Sequence, residues 1–118
     1  MAKILVIDDS TADTRFMLEA LKGLGHTIVT EKNPAQAEVR VQAERPDLIL
    51  LDVVMPERNG YEVLRGLKRL SGTSFKVIFV SSKGGETDVK WGLRQGAVDY
   101  IIKPYTPEQV QGIVSRHI

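Results

Sequence analysis

Residues Pro46 to Pro56 read PDLILLDVVMP. Leu48 to Leu51 are consecutive apolar residues, a proline brackets the segment on each side, and Asp52 closes the run. A short all-apolar run between breakers fits a strand covered on both faces, as in parallel sheets. Proline lacks the ladder donor, so neither Pro46 nor Pro56 suits the middle of a central strand. Aspartate is a poor strand former and costly to bury unpaired. Asp52 therefore either sits where the strand runs out, at the carboxyl edge where open α/β sheets bind ligands, or caps a turn or the next helix.

The other segments repeat this grammar. Lys3 to Ile7 (KILVI) reads as a second buried strand and ends in Asp8-Asp9. Ser10 or Thr11 can cap a helix in which Met17, Leu18, Leu21 and Leu24 recur at helical spacing, with Gly25 as its stop. His26 to Thr30 is β-branched and partly polar, as an edge strand would be. Asn33-Pro34 opens a helix that must stop near Arg45, before Pro46. Asn59-Gly60 reads as a turn, followed by a helical stripe of Val63, Leu64, Leu67 and Leu70. Lys76 to Val80 is a fourth strand, ending in Ser81-Ser82, and Gly84-Gly85 makes the next loop pliable. A weak helix from Glu86 to Gln95 is closed by Gly96. Ala97 to Ile102 is a fifth strand, ending in Lys103-Pro104, and Thr106 to Gln109 forms a capping box for the last helix.

Strands and helices thus alternate five times, which predicts an α/β fold: a doubly wound, five-stranded parallel sheet, (βα)5, with helices on both faces. The edge-like second strand favours the order 2-1-3-4-5. The 118 residues are expected to form one domain, 1–118, with no output domain beside it. The 16 basic residues against 15 acidic ones leave a net charge of +1 without like-charge runs, so nothing favours nucleic acid or a membrane surface as partner. Cysteine is absent, which excludes disulfides, thiol chemistry and Cys-bound metals and fits a cytoplasmic location.

In the order 2-1-3-4-5, strands 1, 3, 4 and 5 are neighbours. Their ends carry Asp8 and Asp9, Asp52, Ser81, and Lys103. Each has a bland role when taken alone: the acidic pair as helix caps, Ser81 bonding its own loop, Lys103 as a solvated charge. Recurrence at one sheet edge argues for a shared site. Carboxylates this close stay ionised together only with a cation. Oxygen ligands without His or Cys suit a hard cation, Mg²⁺ before Ca²⁺ or Mn²⁺. A carboxylate can also act as nucleophile. The residues alone therefore suggest Mg²⁺-assisted phosphoryl transfer onto an aspartate.

The motifs VIDDS (Val6 to Ser10), LILLDVVMPERNG (Leu48 to Gly60), VSS (Val80 to Ser82) and DYIIKPYT (Asp99 to Thr106) resemble those of response regulator receiver domains of two-component systems. The match runs from Lys3 to about Arg116. The resemblance implies a flavodoxin-like three-layer sandwich that acts as a phosphorylation-dependent switch rather than an enzyme with an outside substrate. It implies Asp52 as phosphoacceptor, Asp9 as direct Mg²⁺ ligand, Asp8 acting largely through water, and the Val54 backbone carbonyl as a further ligand. Lys103 matches the phosphoryl-contacting lysine, in a usually cis Lys103-Pro104 pair. Ser81 matches the switch hydroxyl and Tyr100 the switch aromatic, expected to turn inward when Ser81 follows the phosphoryl group. Val54 and Lys83 occupy positions that tune dephosphorylation. The partner surface is expected on the face of helix 4, strand 5 and helix 5, through Val89, Leu93, Tyr100 and Tyr105, with Trp91 as half-buried packing.

Partners implied are a sensor histidine kinase or phosphotransfer protein and a downstream target protein, with the chain a monomer or a phosphorylation-dependent dimer. The chain ends just after the last helix, as in chemotaxis- or motility-type single-domain regulators, although a piece of a longer regulator would read the same. An aspartate-nucleophile phosphatase fits less well, because it needs a second Asp two residues after the nucleophile, where Val54 or Ser10 stands. A flavin carrier of similar topology would place Ser, Thr and Gly, not two carboxylates, after strand 1.

Overall fold

The computed structural model describes Met1 to Ile118. Five strands, β1 (Lys3–Ile7), β2 (Thr27–Glu31), β3 (Leu48–Asp52), β4 (Lys76–Ser81) and β5 (Asp99–Ile102), alternate with five helices. These are α1 (Thr11–Leu21), α2 (Ala37–Glu44), α3 (Gly60–Lys68), α4 (Glu86–Arg94) and α5 (Pro107–Arg116). All strand pairs are parallel and the order is β2-β1-β3-β4-β5, as expected. The central strand β3 is buried at every residue, whereas the edge strand β2 is at best half-buried.

The two-residue alternation of strands divides the core into two layers. Leu5, Ile7, Ile49, Leu51, Val77 and Phe79 pack with α2, α3 and the inner side of α4. Ile4, Val6, Leu48, Leu50, Ile78 and Val80 pack against α1 and α5. Asp8 and Asp52 continue the second series and Ser81 continues the first. The carboxylates thus rise on the α1–α5 side, while Ser81 aligns with Phe79 on the α4 side.

Several local boundaries differ from the sequence reading. α1 ends at Leu21 rather than running through Leu24 to a stop at Gly25, while Ser10, one of its two candidate caps, does cap it, its Oγ accepting the Asp13 N–H at 3.2 Å. The segment after Asn33 starts as a single 3-10 turn, Pro34–Gln36, and becomes α-helical only at Ala37. Asn59-Gly60 is not a free turn but the start of α3, where Asn59 and Glu62 form a capping box. The fifth strand begins at Asp99 rather than Ala97. Ahead of it, Gly96 turns the chain at φ 113° and Ala97 bonds back to the Gly92 carbonyl of α4 instead of joining the ladder.

Candidate functional site

The β1–β3 register pairs Ile7 with Leu51, so the chain positions one step further on, Asp8 and Asp52, are neighbours at the carboxyl edge. Oxygens of Asp8, Asp9 and Asp52 all lie within 4.8 Å of one another. Asp8 and Asp52 are buried and Asp9 is more open. Each Asp8 oxygen is engaged: Oδ1 accepts the Ser10 N–H at 2.9 Å and Oδ2 accepts from Lys103 Nζ at 3.2 Å. Lys103 Nζ also reaches Asp52 Oδ1 at 3.5 Å, and the Lys103–Pro104 peptide is cis. Gly60 sits directly beneath: a Cβ there would collide with the Asp52 carbonyl oxygen.

Burial and the Asp8 charge push the Asp52 carboxyl up to about 7, against the pull of Lys103. Burial alone would lower the ammonium of Lys103, but Asp13, Asp52 and Asp8 together raise it above its usual value. The site therefore holds one lysine charge against a surplus of carboxylates. The backbone carbonyl of Val54, next along the β3–α3 loop, accepts no backbone hydrogen bond. The three crowded carboxylates of Asp8, Asp9 and Asp52 form an oxygen-only donor set that fits a hard divalent cation.

Ser81 is fully buried and its Oγ accepts the Lys83 N–H at 3.1 Å. Tyr100 is buried against Phe79, and its hydroxyl donates to the Lys83 carbonyl at 2.7 Å. The ring was expected to move inward on phosphorylation; here it is already inward. Gly92 of α4 makes the room, since a Cβ there would stand 3.0 Å from the Tyr100 ring and 3.1 Å from Phe79.

Tyr105 requires a correction. It was expected on the face of α4, β5 and α5, but it is buried on the opposite side, edge-on to Phe16 of α1 with ring centroids 5.4 Å apart. It lies past the end of β5, where strand alternation no longer decides its side, and it fills the layer between α1 and α5 with Met17 and Val110. Val89 is half-buried against the core, and Leu93 is 43% exposed. Trp91, expected to be half-buried, is 48% exposed. Val54 also points to solvent.

Sequence reasoning missed two residues. Ile102 is exposed at the end of β5 and packs over Gly84, and its strand position could have revealed it. Asp13 is the nearest partner of Lys103, at 2.8 Å. It lies 90 residues away in sequence and carries no motif signal, so only the tertiary fold discloses it.

An edge-bound acidic cluster answered by one lysine, in a five-stranded sheet of this order, defines a phosphorylation-dependent receiver domain. Residues 4–115 match the response regulator receiver domain family, and the chain belongs to it. The chain is similar to Protein PilH of Pseudomonas aeruginosa, with 39% identity over 109 residues, covering 92% of this chain and 90% of that protein. It is also similar to the alkaline phosphatase synthesis transcriptional regulatory protein PhoP of Bacillus subtilis, at 34% identity, covering 95% of this chain but 46% of that longer protein. Among solved structures, chemotaxis protein CheY4 of Vibrio cholerae superposes with a TM-score of 0.88 at 26% identity, covering 100% of this chain and 99% of that one. The BeF3-activated DrrB receiver domain gives 0.84 at 30% identity, covering 99% of this chain and 97% of that one. The chain is thus a two-component signalling receiver, a class that works with histidine kinases and downstream targets. No helix is long and apolar enough to cross a membrane.

Proposed function

We propose that Asp52 accepts a phosphoryl group from a phosphohistidine of a sensor kinase or phosphotransfer protein. A carboxylate oxygen of Asp52 attacks phosphorus, the new O–P bond forms as the P–N bond breaks, and the departing imidazole keeps the N–P electron pair. Asp8, Asp9, Asp52 and the Val54 carbonyl would hold Mg²⁺, which supplies charge neutralisation at the phosphoryl oxygens. Lys103 opposes the burial that favours the protonated Asp52 carboxyl and offers its ammonium to a phosphoryl oxygen. The chemistry is confined to the protein's own phosphorylation and dephosphorylation. The observation that carries this reading is the Lys103 ammonium bridging two buried carboxylates, Asp8 and Asp52, at the sheet edge.

Downstream, Ser81, Lys83 and Tyr100 couple the site to the face of α4 and β5, where Leu93 and Ile102 are exposed and Val89 is half-buried. That face is the proposed target surface. The match to nearly all of PilH supports a motility-type regulator, and the lack of cysteine accords with a cytoplasmic location. Incubation with Mg²⁺ and acetyl phosphate should add one phosphoryl mass, and Asp52→Asn should abolish it. Normal labelling of the variant would remove Asp52 as acceptor.

A further inference from the structure

Lys103 has three carboxylate partners, and the two inside the site are the more distant. Its Nζ lies 2.8 Å from Asp13 Oδ2, against 3.2 Å to Asp8 and 3.5 Å to Asp52. Asp8 and Asp52 are buried, whereas the Asp13 side chain is 46% exposed. The ammonium therefore leans toward the rim of the site. Asp13 is held there by the first turn of α1, where its N–H is fixed to the Ser10 cap. Together Asp13, Lys103, Ala12, Phe16 and Tyr105 line a cavity of about 350 Å³ beside the acidic cluster, so the lysine head has space to move.

We propose that Asp13 is a positioning residue that holds the Lys103 ammonium outward and competes for it with the phosphoryl group on Asp52. A phosphoryl group brings new anionic oxygens to the inner side of Lys103. Lys103 can meet them only by loosening the Asp13 pair, so the pair favours the unphosphorylated state. This inference rests on Asp52 as acceptor and Lys103 as phosphoryl contact. The plainer role of Asp13 is to stabilise the α1 N-terminus as a first-turn acid. That role would change thermal stability and leave phosphoryl affinity alone.

The test is a beryllofluoride titration with Mg²⁺, read by ¹⁹F NMR of the bound fluorides and carried until the weakest variant saturates. Asp13→Asn should bind about three- to tenfold tighter than the natural chain, the range expected from losing a partly exposed ion pair. Asp13→Glu, which keeps the carboxylate, should restore ordinary affinity. In a Lys103→Met background, Asp13→Asn should give no gain. Unchanged or weaker binding by Asp13→Asn overturns the proposal. So does an equal gain in the Lys103→Met background, because the effect would then be a general field of charge. If Asp52→Asn binds as well as the natural chain, the acceptor assignment fails. If only the Asp13 comparisons fail, the positioning role falls alone.

Discussion

The phenol of Tyr100 donates a 2.7 Å hydrogen bond to the carbonyl oxygen of Lys83. The N–H of the same Lys83 donates to Ser81 Oγ at 3.1 Å. One residue of the β4–α4 loop is thereby bonded to the Ser81 hydroxyl on one side and to the Tyr100 phenol on the other. Any shift of Ser81 toward a phosphoryl group must move Lys83, and Lys83 carries the anchor of Tyr100. The inward ring is one arrangement of a pair whose balance a phosphoryl group can bias.

Tyr100→Phe tests this link without emptying the core. Removing the hydroxyl should cost about 1 kcal/mol in urea unfolding. It should leave acetyl phosphate labelling of Asp52 intact while reducing the change in amide hydrogen exchange that beryllofluoride causes from Ser81 to Ile102. Tyr100→Ala is the poorer variant, since deleting a buried ring costs about 3–5 kcal/mol by itself. If Tyr100→Phe responds like the natural chain, the Lys83 bond carries no signal.

Stability of the metal-free protein should fall as pH rises from about 4 to about 7. The folded Asp52 carboxyl binds its proton up to about 7, whereas in the unfolded chain it releases it near 3.8. Across that window the folded state binds more protons than the unfolded one, so deprotonation weakens it. Mg²⁺ should flatten the slope by stabilising the carboxylate. Asp52→Asn should remove the slope and raise the melting temperature of the metal-free protein at pH 8. The acid side behaves oppositely. Burial would raise the Asp99 carboxyl, but the His117 hydrogen bond and Arg116 bring it below its usual value. Its contribution is therefore present above the unfolded carboxylate range and lost as pH falls through the depressed folded value. Thermal melts between pH 3 and 8, with and without Mg²⁺, measure both limbs.

Gly60→Ala should destabilise the protein by about 1–3 kcal/mol, because the added methyl meets backbone of Asp52 and Val53 rather than a yielding side chain. The strain falls on Asp52, the proposed acceptor, so acetyl phosphate labelling should slow as well. Urea unfolding and mass spectrometry read the two effects separately.

Val54→Asn should shorten the phosphorylated lifetime. The side chain of Val54 is 54% exposed on the loop just after Asp52, and an apolar group there cannot orient an attacking water. An amide can, and the decay followed by mass spectrometry should quicken several-fold. Because the natural side chain is exposed, folding stability should change little.

Much of this site could be read in the chain because strands impose order on it. The apolar runs KILVI and LILLD specify buried strands, and a polar residue that ends such a run must emerge at the sheet edge. Asp8, Asp52, Ser81 and Lys103 were legible for that reason, as were the capping box of Thr106 and Gln109 and the edge character of β2. Period-two alternation does not extend past the last ladder bond, so the side taken by Tyr105 was open until α1 and α5 closed around it. The inward seat of Tyr100 depends on a missing Cβ at Gly92 of another element. The grip of Asp13 on Lys103 joins groups 90 residues apart, on a helix turn and a loop. Local propensity and periodicity act over a few residues; contacts between elements are settled only when the layers pack, and those packing contacts positioned the groups around the carboxylates.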